Sequence, residues 1–228
     1  MSIKNIFIVV ISLAIISCGG RQSHSPMGEQ AEEKPLFVQD VPDGWEALMD
    51  GNTLDGWEIV RSGGEGEPFV RDGILNLPMA PFGNSTALRL ENMDLFPAIN
   101  YAIYYEARRV EGNDIFAGVT FPYGDSYATL IVGGWAGATC GLSSIDGKDA
   151  SENETTTSIH FRDNEWYPVY LRVTNDSIRA IIDTVTVVNI ATAGKRIHLR
   201  SGATGQGLTF STFRTGGQIR NLRMKKLD

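Results

Sequence analysis

NYAIYYEARRV, residues 100–110, alternates with period two: Tyr101, Ile103, Tyr105 and Ala107 fall on one side, and Ala102, Tyr104, Glu106 and Arg108 on the other. That alternation is the mark of a strand with one covered face. Working outward, Ile115 to Phe121, Tyr127 to Val132, Trp166 to Thr174, Ile178 to Ile182, Leu208 to Phe213 and Leu222 to Lys226 read the same way. Asp72-Gly73 between FVR and ILNL, and Asn175-Asp176 between YLRVT and SIRAII, supply hairpin turns. No stretch carries a helical period or an internal repeat. Many short strands at this spacing predict an all-β sandwich or barrel.

The first 40 residues are of another kind. Lys4 precedes an apolar run, Ile6 to Ile16, which Ser17, Cys18, Gly19 and Gly20 end well short of the roughly 20 residues a membrane-spanning helix needs. Residues 1–17 therefore read as a signal peptide. Ile15-Ile16-Ser17-Cys18 resembles the bacterial lipobox, which implies cleavage before Cys18 and lipidation of its thiol. Several acyl chains on one residue hold a protein to a bilayer firmly. The expected location is the cell envelope, with the outer membrane favoured because no Asp follows Cys18. Residues 18–40 are polar and aperiodic, a flexible tether. Residues 41–228 then form a single domain.

With Cys18 lipidated, Cys140 has no disulfide partner, and its surroundings in TCGL suit a buried small hydrophobe better than a nucleophile. The formal charge is −7, and removing the leader takes away Lys4 and no acid. Such a balance does not suit nucleic acid. Arg220, Arg223, Lys225 and Lys226 interleave with Leu222, Met224 and Leu227, which makes them the solvent side of a last strand.

Candidate functional residues gather in three places. Asp146, Asp149, Glu152 and Glu154 crowd the loop SSIDGKDASENE, whose spacing does not fit an EF-hand. A solvated loop, a substrate or catalytic loop and a calcium site all remain open readings; no cofactor is expected, with calcium the possible exception. Asp125, Tyr127 and Trp135 flank Gly133-Gly134; ring plus carboxylate is sugar-binding composition, while a core position with a glycine bulge is the equal alternative. Arg214 ends LTFSTF, where its guanidinium could hold an oxyanion or form an ion pair, and His160 follows the acidic loop. Trp45, Trp57 and Trp166 are expected in the core. A three-histidine metal site is not available within the domain, where His160 and His198 are the histidines. Nor does the chain contain a nucleophile elbow, a phosphate loop, a dinucleotide fingerprint or the E-x-D-x-x-E strand of laminarinase-type glycosidases.

LMDGNTLDGWEIV (48–60), EWYPVYLRVTNDSIRAIIDTVTVVNI (165–190) and GLTFSTFRTGGQIRNLRMKKL (207–227) resemble the opening, middle and closing strands of the 3-keto-disaccharide hydrolase domain family. The resemblance implies a concanavalin A-like jelly roll of two antiparallel sheets and a carbohydrate or 3-keto-glycoside as partner. A C3 ketone acidifies the C2 hydrogen of a sugar, so a base can remove it and the C1 substituent can leave. Asp146 or Glu154 is then the expected base and Arg214 the oxyanion holder, with Asp125, Tyr127, Trp135 and His160 binding substrate around one concave sheet face. A carbohydrate-binding module without catalysis, or an interaction domain, is the alternative.

Overall fold

The computed structural model describes residues 43–94, 96–200, 203 and 205–228. The segments expected to be a signal peptide and a tether, with the expected lipidation site Cys18, lie outside them. In chain order the strands are β1 (Glu46–Ala47), β2 (Trp57–Ile59), β3 (Phe69–Arg71), β4 (Ile74–Leu77), β5 (Ser85–Leu90), β6 (Tyr101–Gly112), β7 (Gly118–Tyr123) and β8 (Ser126–Gly133). They continue as β9 (Thr139–Ser143), β10 (Thr157–Ser158), β11 (Tyr167–Val173), β12 (Ser177–Ile182), β13 (Val185–Ala191), β14 (Thr209–Phe213) and β15 (Thr215–Lys226). Two antiparallel sheets result. The first runs β13-β12-β11-β6-β15-β4-β3 with β1 on β15; the second runs β10-β9-β8-β7-β14-β5-β2. This is the expected two-sheet sandwich.

Local chemistry places the turns. Asp72 and Gly73 both have positive φ, 49° and 73°, the left-handed pair that a two-residue hairpin between β3 and β4 requires. Gly124-Asp125 caps the β7–β8 hairpin, and Asn175-Asp176 joins β11 to β12. In β15 an extra residue is inserted opposite β6: Arg220 faces Glu106 and Arg223 faces Tyr104, with Asn221 left-handed at φ 56°. The bulge turns both arginines to the outer side, where strict alternation would have buried one.

Between the sheets lies one core. Tyr101, Ile103, Tyr105 and Ala107, the side of β6 singled out by its alternation, are fully buried. Tyr105 meets Phe210 of β14 edge-on at 5.1 Å, and Phe210 packs on Trp57 at 6.0 Å. The buried hydroxyls of Tyr101 and Tyr105 donate to the carbonyls of Pro122 and Ala117. Cys140 is buried in this core, and desolvation raises its thiol pKa to about 12, which leaves it a packing residue. Of the three tryptophans expected there, Trp57 alone belongs to the core. Trp45 and Trp166 lie half-buried on the outer side of the first sheet, against Arg223, Arg108 and Arg220.

Candidate functional site

The outer face of the second sheet is built of small hydroxyl residues. Val119, Phe121, Leu130, Leu142 and Phe210 take the inward positions and are buried, so their strand neighbours point away from the core. Register then aligns Thr120 of β7 with Thr129 of β8, Thr129 with Ser143 of β9, and Phe213 of β14 with Ser85 of β5. Thr120 and Thr129 share a hydrogen bond of 2.9 Å between their hydroxyls. Ser85, Thr120, Thr129, Ser143 and Ser211 line a cavity of about 290 Å³, with Ile115, Ile131 and Phe213 as apolar walls. Thr212, also in the lining, is buried, and its Oγ1 has no hydrogen-bond partner. Gly118 keeps the floor open, since a Cβ there would lie 3.0 Å from Ile115 and 3.3 Å from the Ser211 hydroxyl.

One charged side chain enters this lining, Arg200. It arrives there because the segment before it pairs with the start of the acidic loop: Ser144 and His198 exchange backbone hydrogen bonds, and Asp146 N donates to Arg196 O at 2.9 Å. Asp149, three residues further along, then meets Arg200 Nε at 3.1 Å. The loop itself is rigidly held. Asn153 donates to the carbonyls of Leu142, Lys148 and Asp149, and Ala150 N donates to Ser143 Oγ at 2.9 Å.

Beside Arg200 stands Trp135, 40% exposed, with the guanidinium 5.8 Å from its ring centroid. The chain carries it on a tight turn in which Gly133, Trp135, Ala136 and Gly137 all have positive φ, from 47° to 97°. Two non-glycine residues in that region store strain of about 1–3 kcal/mol each, and such strain persists where surrounding structure over-determines it. Here Arg109 supplies the clamp. It is 9% exposed and donates to Phe161 O at 2.8 Å, to Gly137 O at 3.4 Å and to Asp163 at 2.6 Å.

The residues proposed from sequence do not converge as expected. Asp125 sits at the hairpin tip before β8 and Trp135 after its end, which separates them by about 26 Å of extended strand. Asp125 is exposed there, as is His160 after β10. Tyr127 shares the outer face of β8 with Thr129 and Ile131 but lies toward the Asp125 end. Asp146, left-handed at φ 52°, spends its carboxylate on Arg196 N at 2.8 Å. Glu154 pairs with Lys195 Nζ at 2.6 Å, a contact that holds the ammonium pKa above its ordinary value. Neither carboxylate lines the cavity. Arg214 lies outside it too, exposed and 5.2 Å from the ring of Phe213, which does line it. Of the expected set, Trp135 is the one with a contact to the cavity's charged residue among the described residues.

Asp146, Asp149 and Glu154 therefore fan out to separate cationic or backbone partners. Among the described residues no group of three His, Cys, Asp or Glu side chains is placed to hold a metal ion. What the sequence reading passed over is Arg200 and the row of hydroxyls. Period-two reading of β7, β8 and β14 would have put Thr120, Thr129 and Ser211 on the outer side; nothing local marks Arg200. A further ring, Phe82, is 98% exposed at φ 62°, three residues before Ser85.

Comparison with known proteins agrees with this architecture. A glycosyl hydrolase candidate from Parabacteroides distasonis ATCC 8503 superposes with TM-score 0.53 at 14% identity, over 86% of this chain and 99% of that one. The Crh5 transglycosylase in complex with NAG gives TM-score 0.53 at 10% identity, over 81% and 84% of the two chains. A Bacillus subtilis protein of galectin-like fold gives 0.51 at 10% identity, over 76% and 90%. At these identities the likeness is one of fold. A search of curated proteins found no match. Residues 44–223 match the family described as the 3-keto-alpha-glucoside-1,2-lyase-like domain. That match spans both sheets from β1 to the middle of β15, and the chain belongs to this family.

Proposed function

We propose that the cavity on the outer face of the second sheet binds a carbohydrate, and that the chain acts there on oxidised (3-keto) glycosides at the cell envelope, anchored through Cys18. The observation that carries the reading is the lining itself: a concave row of Ser and Thr hydroxyls, one fixed guanidinium and a strained, exposed tryptophan beside it. Hydroxyls of both donor and acceptor character suit sugar hydroxyls. The Trp135 ring suits the apolar face of a pyranose. The jelly-roll likeness to a transglycosylase that binds NAG supports a sugar ligand.

The chemistry follows from the ketone. When a base removes the C2 proton, the electron pair passes into an enolate whose negative charge rests on the C3 oxygen; collapse re-forms the C3 ketone, makes a C1–C2 double bond and breaks the C1–O bond, and the departing oxygen takes back the proton held by the base. Arg200 is the group positioned to hold the C3 oxygen as charge develops. Asp149 stands outside the cavity lining, as Asp146 and Glu154 do, but it alone of the three meets the lining's guanidinium, at 3.1 Å from Arg200 Nε, and it takes the role of base. The same geometry favours a second reading. Among the described residues Arg200 is the one charged residue in the lining, so a binding module without catalysis would use the same cavity.

The test is to incubate the mature protein with 3-keto-glucosides and with their unoxidised counterparts, following binding by calorimetry and release of the C1 substituent. The enzyme reading expects Asp149→Asn to lose about 10²- to 10⁴-fold in turnover while binding is retained. Binding of neutral glycans without turnover of any keto-sugar selects the module reading. If Arg200→Gln changes neither binding nor turnover, the cavity is not the site.

A further inference from the structure

The outer face of the first sheet concentrates positive charge on an acidic protein. Tyr104, Glu106 and Arg108 alternate outward along β6, opposite the buried Ile103, Tyr105 and Ala107. Register sets Arg172 of β11 beside Arg179 of β12, and Lys225 of β15 beside Ala102. The β15 bulge turns Arg220 and Arg223 to the same side, and Arg71 of β3 lies at its far edge. Glu106 is the one carboxylate that the register puts among them, and it is consumed by Arg220 at 2.7 Å. Arg71, Arg108, Arg172, Arg179, Arg223 and Lys225 make no ion pair among the described residues. The whole chain nevertheless carries −7. Aromatic rings fill the spaces between the cations: Trp166 lies 4.5 Å from the Arg108 guanidinium and 4.3 Å from that of Arg220, while Arg223 stands over Tyr104 at 4.2 Å and Trp45 at 5.6 Å.

The chain also enters the domain here. A Cβ on Gly44 would lie 3.2 Å from Lys225 Nζ, and Trp45 packs against Tyr104 and Tyr170 of this face. Twenty-five residues lie between Cys18 and Gly44; a flexible chain of that length spans on average about 30 Å. An anchor at Cys18 thus keeps this face within one domain's width of a bilayer, where weak attraction suffices. Acidic groups on the rest of the molecule do not cancel the attraction, because charges further than about 8 Å are screened at physiological ionic strength.

We propose that this face docks on an anionic membrane surface, with arginines and Lys225 on lipid phosphates and Trp45 and Trp166 at headgroup depth, leaving the hydroxyl-lined cavity of the opposite sheet turned away from the bilayer. The docking is independent of the carbohydrate reading.

The mature chain from residue 19 contains both sheets and the entire core, so it can be tested without leader or lipid. It is co-sedimented with vesicles of phosphatidylcholine alone and of phosphatidylcholine with about 30% phosphatidylglycerol. Binding to the anionic vesicles only, abolished by 0.5 M salt, is expected. Arg172→Gln with Arg179→Gln should weaken it by about 30-fold, whereas the charge-matched pair Lys148→Gln with Arg89→Gln, in the loop after β9 and in β5 of the second sheet, should leave it unchanged. Equal binding to both vesicles, or equal loss in both double variants, overturns the proposal. So does tenfold tighter binding to polygalacturonate through the same arginines, which would assign the face to an acidic polysaccharide. Binding that emerges only when Glu29, Glu32 and Glu33 are neutralised would assign it to the chain's own acidic segment. Because this test uses no acyl chain, its failure is separate from a failure of lipidation at Cys18.

Discussion

Replacing Arg109 by Met tests how the Trp135 turn is held. The guanidinium is 9% exposed; its loss leaves the carbonyls of Phe161 and Gly137 without a donor and frees Asp163. A buried polar group without a partner costs about 1–3 kcal/mol. The Gly137 bond is long at 3.4 Å and belongs to the lower end of that range. Asp163 is 57% exposed on its side chain and returns to water, so the ion pair itself contributes about 0–1 kcal/mol. The sum is about 2–4 kcal/mol, or a fall of about 5–15 °C in Tm for a domain of this size. Met fills the aliphatic volume, so the loss reports the lost donors. Calorimetric melting measures the stability, and sugar titration well below the new Tm measures the turn. Affinity should fall together with stability, because Gly137 closes the loop that presents Trp135. A Tm within about 2 °C of wild type, or full affinity in the folded variant, would refute the clamp.

Stability should decline at alkaline pH. Burial holds the Cys140 thiol at about 12 and keeps the phenols of Tyr101 and Tyr105 protonated above their ordinary range. The unfolded chain releases those protons from about pH 9 upward while the fold retains them, so each pH unit above that point favours unfolding. Urea melts at pH 8 and pH 10.5 check this, and equal midpoints would contradict it. Gly118→Val should block the cavity from its floor, abolishing sugar binding while far-UV circular dichroism stays β-type; retained affinity would place the ligand elsewhere. Phe82→Ala removes a 98% exposed ring from the loop that leads into β5, so it should leave Tm unchanged and weaken binding of longer sugars more than monosaccharides. Equal effects on both would show that the ring makes no extended contact.

Alternation revealed the fold wherever one side of a strand faces solvent, as in β6 and β11. It failed at β9, where Cys140 to Ser143 are buried in succession, and at β5, where Thr86, Ala87 and Leu88 are, so neither shows a polar period. The bulge in β15 hid itself similarly: Arg220 and Arg223 break strict alternation, which makes the strand read as starting at Leu222 although pairing begins at Thr215. The site was legible in part. Trp135 was marked by its glycines. Asp146 and Glu154 were chosen for their density of charge, yet charge density on a loop does not reveal which carboxylate finds Arg196, Lys195 or Arg200. That choice is made by backbone pairing between residues 144–146 and 196–198, fifty or more positions apart. Arg200 itself sits in an aperiodic segment and is specified by tertiary structure alone.

The most direct test of the central claim is a crystal structure of the mature protein soaked with a 3-keto-glucoside or its slowly reacting analogue. The account predicts the sugar between Trp135 and Phe213, its C3 oxygen on the Arg200 guanidinium and its hydroxyls on Thr120, Thr129 and Ser211. Density for the sugar on the outer face of the first sheet, or at the Asp125 hairpin with the cavity empty, would contradict it.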